Sequence, residues 1–193
     1  DIFVNRISNY NPVTAYNLKK MTNKITSVTQ NILPGENIDC VVYGCTSGTI
    51  VSGYDNIKKK INIAKPNALV TAPSTAALKA LNKRNVRSIS IVTPYIKSVN
   101  DDVVDFFRNN NFEVTSNIYF DIESDVDIGK VDQDQLFEIL SNIDHKNADA
   151  LFVSCTSLPM LNIIEKLEKK LGIIVLSSNQ TLIWETLESI NRN

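Results

Sequence analysis

The chain alternates between two kinds of segment, and that alternation constrains its fold more than any other feature. Short apolar runs rich in β-branched residues occur at "IFVNRI" (2–7), "IDCVVYG" (38–44), "ALVTA" (68–72), "SISIVT" (88–93), "FEVTSNIYF" (112–120), "ALFVSC" (150–155) and "IIVLSS" (173–178). Each has the length and composition of a buried strand. Between them lie segments with apolar spacing near three and four: 15–33, 74–84, 99–110, 132–143 and 159–171. These are expected as amphipathic helices covering a sheet. Nearly continuous apolar strands that alternate with helices predict an α/β protein with parallel sheets buried on both faces.

Within that pattern one phrase is written twice. "DCVVYGCTSG" at 39–48 and "DALFVSCTSL" at 149–158 both run from an aspartate through an apolar strand to Cys-Thr-Ser. Matching Cys45 to Cys155 pairs 2–7 with 112–120 and 68–72 with 173–178. The expectation is two pseudo-symmetric halves, 1–87 and 88–193, each a parallel sheet of about four strands flanked by helices, with the active site in the cleft between them. The segment 88–110 has no counterpart in the first half. A strand and helix of roughly twenty residues or more are therefore expected ahead of Asp1, by analogy with 88–110.

Ligands of open parallel sheets bind outside the carboxyl ends of the strands, where the next helices begin. Both cysteines fall at that edge. Each is followed by Thr-Ser and a helical stretch, which places hydroxyls and a helix N-terminus beside the thiol. A free thiol has a pKa of ~8.5, and a helix N-terminus or a cation lowers it, so a thiolate usable near neutral pH is expected. Halves that face each other would oppose the two thiols across one cleft. Such a pair can take a proton from one face of a carbon and return one to the other.

Other features point away from competing classes. With 20 basic and 21 acidic residues along 193, the net charge of −1 has none of the footprint of a nucleic-acid binder. No apolar run is long enough to cross a bilayer and no basic-then-apolar leader opens the chain, so a cytoplasmic protein is expected. Three dispersed cysteines suit a reducing compartment better than a disulfide framework. Cys40, inside a strand without hydroxyl neighbours, reads as packing. His145 has no partner for a zinc site and reads as a surface residue. The acidic stretch 121–134 has Val126 where a calcium loop needs glycine, and reads as a solvated loop. Gly44 and Gly48 lack the third glycine of a dinucleotide fingerprint. Trp184 reads as core, whereas Asn179 and Gln180 either cap the last helix or line the cleft.

Four ordered motifs carry a family resemblance: "YGCTSGT" (43–49), "TPY" (93–95), "SCTSLP" (154–159) and "LSSNQTLIWETL" (176–187). Together they resemble the aspartate/glutamate racemase superfamily, in the branch of maleate cis-trans isomerases, arylmalonate decarboxylases and ectoine-utilisation proteins. The resemblance implies catalysis without metal or organic cofactor. It implies Cys45 as nucleophile or base toward the α-carbon of a small carboxylate or dicarboxylate, and Cys155 handling the proton on the opposite face. Thr46, Ser47 and Tyr95 would bind one carboxylate, and Thr156 and Ser157 the other. Homodimers are also implied. The decarboxylases of the branch carry glycine where Cys45 stands, and no asparagine in "DIESDVDIGK" (121–130) matches one that the isomerases use. An isomerase or racemase is therefore the expectation, with a related decarboxylase or hydratase, or a silent acid-binding protein, as alternatives.

Overall fold

The computed structural model describes residues 1–191. After an irregular N-terminal segment the chain forms α1 (Ala15–Thr22), α2 (Ile25–Gln30), β1 (Cys40–Val42), α3 (Thr46–Ser52), α4 (Tyr54–Ala64), β2 (Leu69–Thr71) and α5 (Pro73–Lys83). It continues through β3 (Ser88–Thr93), α6 (Lys97–Asn109), β4 (Glu113–Tyr119), α7 (Asp125–Ile128), α8 (Gln133–Ser141), β5 (Ala150–Val153), α9 (Ile164–Leu171), β6 (Ile174–Ser177) and α10 (Ser178–Asn191). All strand pairs are parallel, in a four-stranded sheet of order β4-β3-β5-β6 and a two-stranded sheet β1-β2. Among the described residues no helix is long and apolar enough to cross a membrane.

The larger sheet reflects its sequence directly. All four residues of β5 are buried, as are five of the six in β3, which is why these central strands read as unbroken apolar runs. β4 lies at the edge and mixes exposed with half-buried residues. Asp149, the aspartate that opens the second copy of the repeat, sets the register. Its Oδ2 accepts the N–H groups of Arg87 (2.8 Å) and Ser88 (2.9 Å), tying the start of β5 to that of β3. Those two bonds hold its carboxyl below the usual range.

The first half departs from expectation. Residues 2–7 form no strand, and Ile2, Phe3 and Val4 stand exposed. A β-branched run needs a ladder partner, and the matching strand β4 is held by β3 alone. Nothing among the described residues fills the place beside β1 that β3 fills beside β5, so this half has two strands rather than about four.

Two expected helices are also interrupted. The 15–33 segment breaks between α1 and α2, where Thr22 Oγ1 bonds back to Lys19 O (2.6 Å) and the Asn23 and Lys24 N–H groups turn to carbonyls three residues back. The 159–171 segment becomes helical only at Ile164. Pro159 has no N–H to donate, and Met160 and Ile163 spend theirs on Leu158 O and Met160 O.

The last helix crosses back. α10 leaves β6 but packs along α5, where Glu185 pairs with Lys79 and Glu188 with Lys83. Thr186 Oγ1 meets Thr71 Oγ1 of β2 at 2.8 Å. Trp184 is half-buried beneath the Lys83 ammonium rather than in the core. α10 thereby ties β6 of the larger sheet to β2 of the smaller one.

Candidate active site

Cys45 and Cys155 stand just beyond the carboxyl ends of β1 and β5, and both line one cavity of about 150 Å³. That is smaller than the ~300–1,000 Å³ typical of drug-sized ligands and fits a small metabolite. Thr46, Ser47, Tyr95, Thr156 and Ser157 line the same cavity. All seven residues singled out from sequence are therefore brought together.

The two thiols are presented differently. Cys45 is the N-cap of α3, with extended backbone and Sγ accepting the Gly48 N–H at 3.3 Å. Ser47 Oγ lies 3.9 Å from the same sulfur. A β-carbon at Gly48 would lie 2.8 Å from Cys45 Sγ and 2.9 Å from the Tyr43 hydroxyl, so any other residue there displaces one of these side chains. Cys155, by contrast, has no helix behind it: residues 156–163 are irregular and α9 begins at Ile164. The expected helix N-terminus is thus found at Cys45 only. Cys155 instead adopts φ +108°, a conformation that costs a non-glycine residue about 1–3 kcal/mol.

Ser178 holds that conformation. Fully buried at the first position of α10, its Oγ accepts the Cys155 N–H at 3.0 Å and the Thr46 hydroxyl at 2.9 Å. One oxygen thus ties the backbone of one cysteine to the residue after the other. Asn179 Nδ2 donates to Thr156 O (2.9 Å), and Thr156 Oγ1 donates to Gly44 O (2.9 Å), closing the link between the two strand ends. Asn179 therefore serves the loop after Cys155, resolving one of the roles left open by sequence.

The electrostatics run against the expected activated thiolates. Burial pushes the Cys45 thiol up to about 11, and the charges of Cys155 and Asp125 add to it against the bonds from Gly48 and Ser47. Burial also raises Cys155, with Asp125 adding to it, while the Ser157 N–H and the Tyr95 phenol oppose the rise. Among the described residues no lysine or arginine lines the cavity. Without a cation, desolvation of the thiolate wins and both thiols rest protonated. Tyr95 is 2 % exposed, and burial together with the two cysteines raises its hydroxyl, so it faces them as a neutral donor.

Sequence reasoning missed four residues here. Ser178 sits in "LSSNQ" directly after β6, at the same carboxyl edge as the cysteines, and that position was the available signal. Gly48 and Tyr43 flank Cys45; the Tyr43 hydroxyl is buried without a partner and burial raises its pKa. Asp125 carried no signal, because its acidic stretch looked like a solvated loop. It instead opens α7 and lines the cavity, where its Oδ1 accepts the Ser157 hydroxyl at 3.0 Å. Cys40 lies on β1 against Thr71 Oγ1 at 3.8 Å, and His145 is half-buried with Nδ1 near Ile143 O; neither lines the cavity. Among the described residues no group of three histidine, cysteine or acidic side chains could hold a metal ion.

Comparison with known proteins places this site in context. The arylmalonate decarboxylase family profile matches residues 21–193. The maleate isomerase of Geobacillus stearothermophilus is 27% identical over 187 residues, covering 93% of this chain and 74% of that protein. The maleate isomerase of Alcaligenes faecalis is 23% identical over 166 residues, 82% of this chain and 66% of its own length. Among solved structures, a variant maleate isomerase from Pseudomonas putida S16 with maleate superposes at a TM-score of 0.89 and 20% identity, covering 96% of this chain and 77% of that one. A cysteine-to-serine variant of the Nocardia farcinica maleate cis-trans isomerase, holding a covalent succinylcysteine intermediate, gives 0.88 at 20% identity over 96% and 78% of the two chains.

Proposed function

The chain belongs to the arylmalonate decarboxylase family, and on that premise we propose that it is a cofactor-independent isomerase. It acts at the carbon next to the carboxylate of a small acid, with Cys45 and Cys155 as its reacting pair. One observation carries this reading: two thiols, standing just beyond the carboxyl ends of β1 and β5, share one small cavity. A binding protein gains nothing from paired thiols, and a decarboxylation needs only one proton donor. The maleate isomerases among the relatives support the same class, and the arylmalonate decarboxylase among them stands for the alternative.

The chemistry needs one thiolate and one thiol. In cis-trans isomerisation the Cys45 thiolate adds to one alkene carbon, forming a C–S bond, while the Cys155 S–H delivers its proton to the other carbon. Rotation about the resulting single bond and the reverse steps then give the other isomer. In racemisation one thiolate takes the α-proton and the opposite thiol protonates the other face. In both, charge develops on the substrate carboxylate. The main-chain N–H groups of Thr46 and Ser47, in the first turn of α3, and the Tyr95 hydroxyl are the donors that meet it. Thr156 and Ser157 line the second subsite.

Incubation of the full-length protein in heavy water with maleate, aspartate and glutamate, followed by NMR, tests the proposal. The expected result is a new isomer or deuterium at the α-carbon with one of these acids, abolished in Cys45→Ala and Cys155→Ala. Measurable binding without exchange or isomerisation in any of them would overturn it.

A further inference from the structure

Asp125 is the only charged residue among those described that lines the cavity. A carboxylate is an unexpected wall for a site that takes acids. Its placement is nevertheless built in: the Asp125 N–H donates to Asn11 Oδ1 at 3.2 Å, Ser124 caps α7 through the Asp127 N–H at 3.3 Å, and the preceding Glu123 O accepts the Val13 N–H at 2.8 Å. The N-terminal segment thus holds the start of α7 against the site.

Ser157 makes the consequence specific. Its hydroxyl proton is donated to Asp125 Oδ1 at 3.0 Å, so that proton is not available to a substrate carboxylate. What this wall offers inward is acceptors: the lone pairs of Ser157 Oγ and the carboxylate of Asp125. The Ser157 N–H is likewise committed, to Cys155 Sγ at 3.4 Å. The donors, Tyr95, the Asn9 side-chain amide and the first N–H groups of α3, are carried by other parts of the chain. The cavity is therefore polarised, with one wall suited to a carboxylate and another suited to a group that donates hydrogen bonds.

We infer that Asp125 is a specificity-determining residue, selecting an acid whose reacting carbon carries an ammonium group over a dicarboxylate without one. An ammonium brings three donors and a positive charge to two adjacent acceptors. A second carboxylate in that place would meet the like charge of the solvent-exposed Asp125, which disfavours its binding. Burial, with Asp125 adding to it, raises both thiols, and among the described residues the resting cavity has no cationic side chain to oppose that rise. A bound ammonium supplies the missing positive charge beside them. A saturated α-amino acid has no double bond, so the isomerisation open to it is racemisation. With one of the two sulfurs ionised to thiolate, the α C–H bond breaks, its proton passes to that sulfur, and the proton of the other S–H bond forms the new C–H bond on the opposite face.

This inference rests on the cavity being the substrate site proposed above, and its test separates the two. Aspartate and succinate differ only in the ammonium group, so their dissociation constants measured by calorimetry on the full-length protein read Asp125 directly. Wild type is expected to bind aspartate at least tenfold more tightly than succinate. Asp125→Asn keeps an acceptor for Ser157 but removes the charge, and is expected to lower that ratio at least tenfold; Ser157→Ala is expected to lower it less. A wild-type preference for succinate, or a ratio that neither variant moves, overturns the inference. If the ratio moves and no acid is isomerised or exchanges its α-proton, the inference stands and the isomerase reading falls. If maleate is isomerised and the ratio does not move, only the inference falls.

Discussion

The hydroxyl of Thr46 donates to Ser178 Oγ at 2.9 Å, and through that oxygen the residue after Cys45 is joined to the main chain of Cys155. Ser178 thereby fixes the relative position of two thiols that belong to different sheets. Its hydrogen bonds go to the chain around the cysteines, which is the part of a positioning residue in the proposed reaction.

Ser178→Ala is expected to leave the Cys155 N–H without a buried acceptor, a loss of about 1–3 kcal/mol. Because Cys155 sits at φ +108°, its backbone is expected to relax and the sulfur to move. The exchange rate kcat should fall about ten- to a hundredfold while KM changes less than threefold. Ser178→Thr, which keeps the oxygen, should recover part of kcat. Equal losses in both variants, or a change confined to KM, would count against this role.

Gly48→Ala places a methyl group 2.8 Å from Cys45 Sγ and 3.1 Å from Met21 Cε. Overpacking of this kind costs about 1–3 kcal/mol, and here the thiol is the softest neighbour to move. Thermal unfolding should show the loss of stability, and exchange activity should fall more than a hundredfold. Wild-type activity in this variant would show that the position of Cys45 is not critical.

The raised thiols set a pH dependence. A group whose charged form is disfavoured ionises only at higher pH, so kcat/KM, which reports the free enzyme, should climb through the alkaline range toward the Cys45 value of about 11. Asp125 contributes to that rise; Asp125→Asn should shift the thiolate absorbance midpoint downward, measured in a Cys40→Ser background. A rate already level at neutral pH, or a midpoint that stays or moves up in Asp125→Asn, contradicts these assignments.

Much of the molecule was legible in the sequence for physical reasons that also mark its blind spots. β3 and β5 read correctly because strands buried on both faces must be apolar throughout. Residues 2–7 have the same composition, yet composition does not supply a neighbour to bond with. The Cys-Thr-Ser repeat located both thiols, since the end of a strand fixes the place of the next residue. It did not carry their environment: Cys45 gained its helix and Cys155 did not, because Pro159 delays α9. Asp125 and Ser178 lie far from the cysteines they serve along the chain. Only tertiary folding shows that an acid in a charged loop faces two thiols.

The most direct measurement compares α-proton exchange in the wild type, Cys45→Ser, Cys155→Ser and the double variant, on whichever acid the protein turns over. Residues that act as one unit are non-additive in their losses. If Cys45 and Cys155 are opposed partners in one step, each single variant should lose at least a thousandfold in kcat, and the double should be no slower than the slower single. A single variant that keeps near wild-type exchange, or a double whose loss is the product of the two, would contradict the pairing.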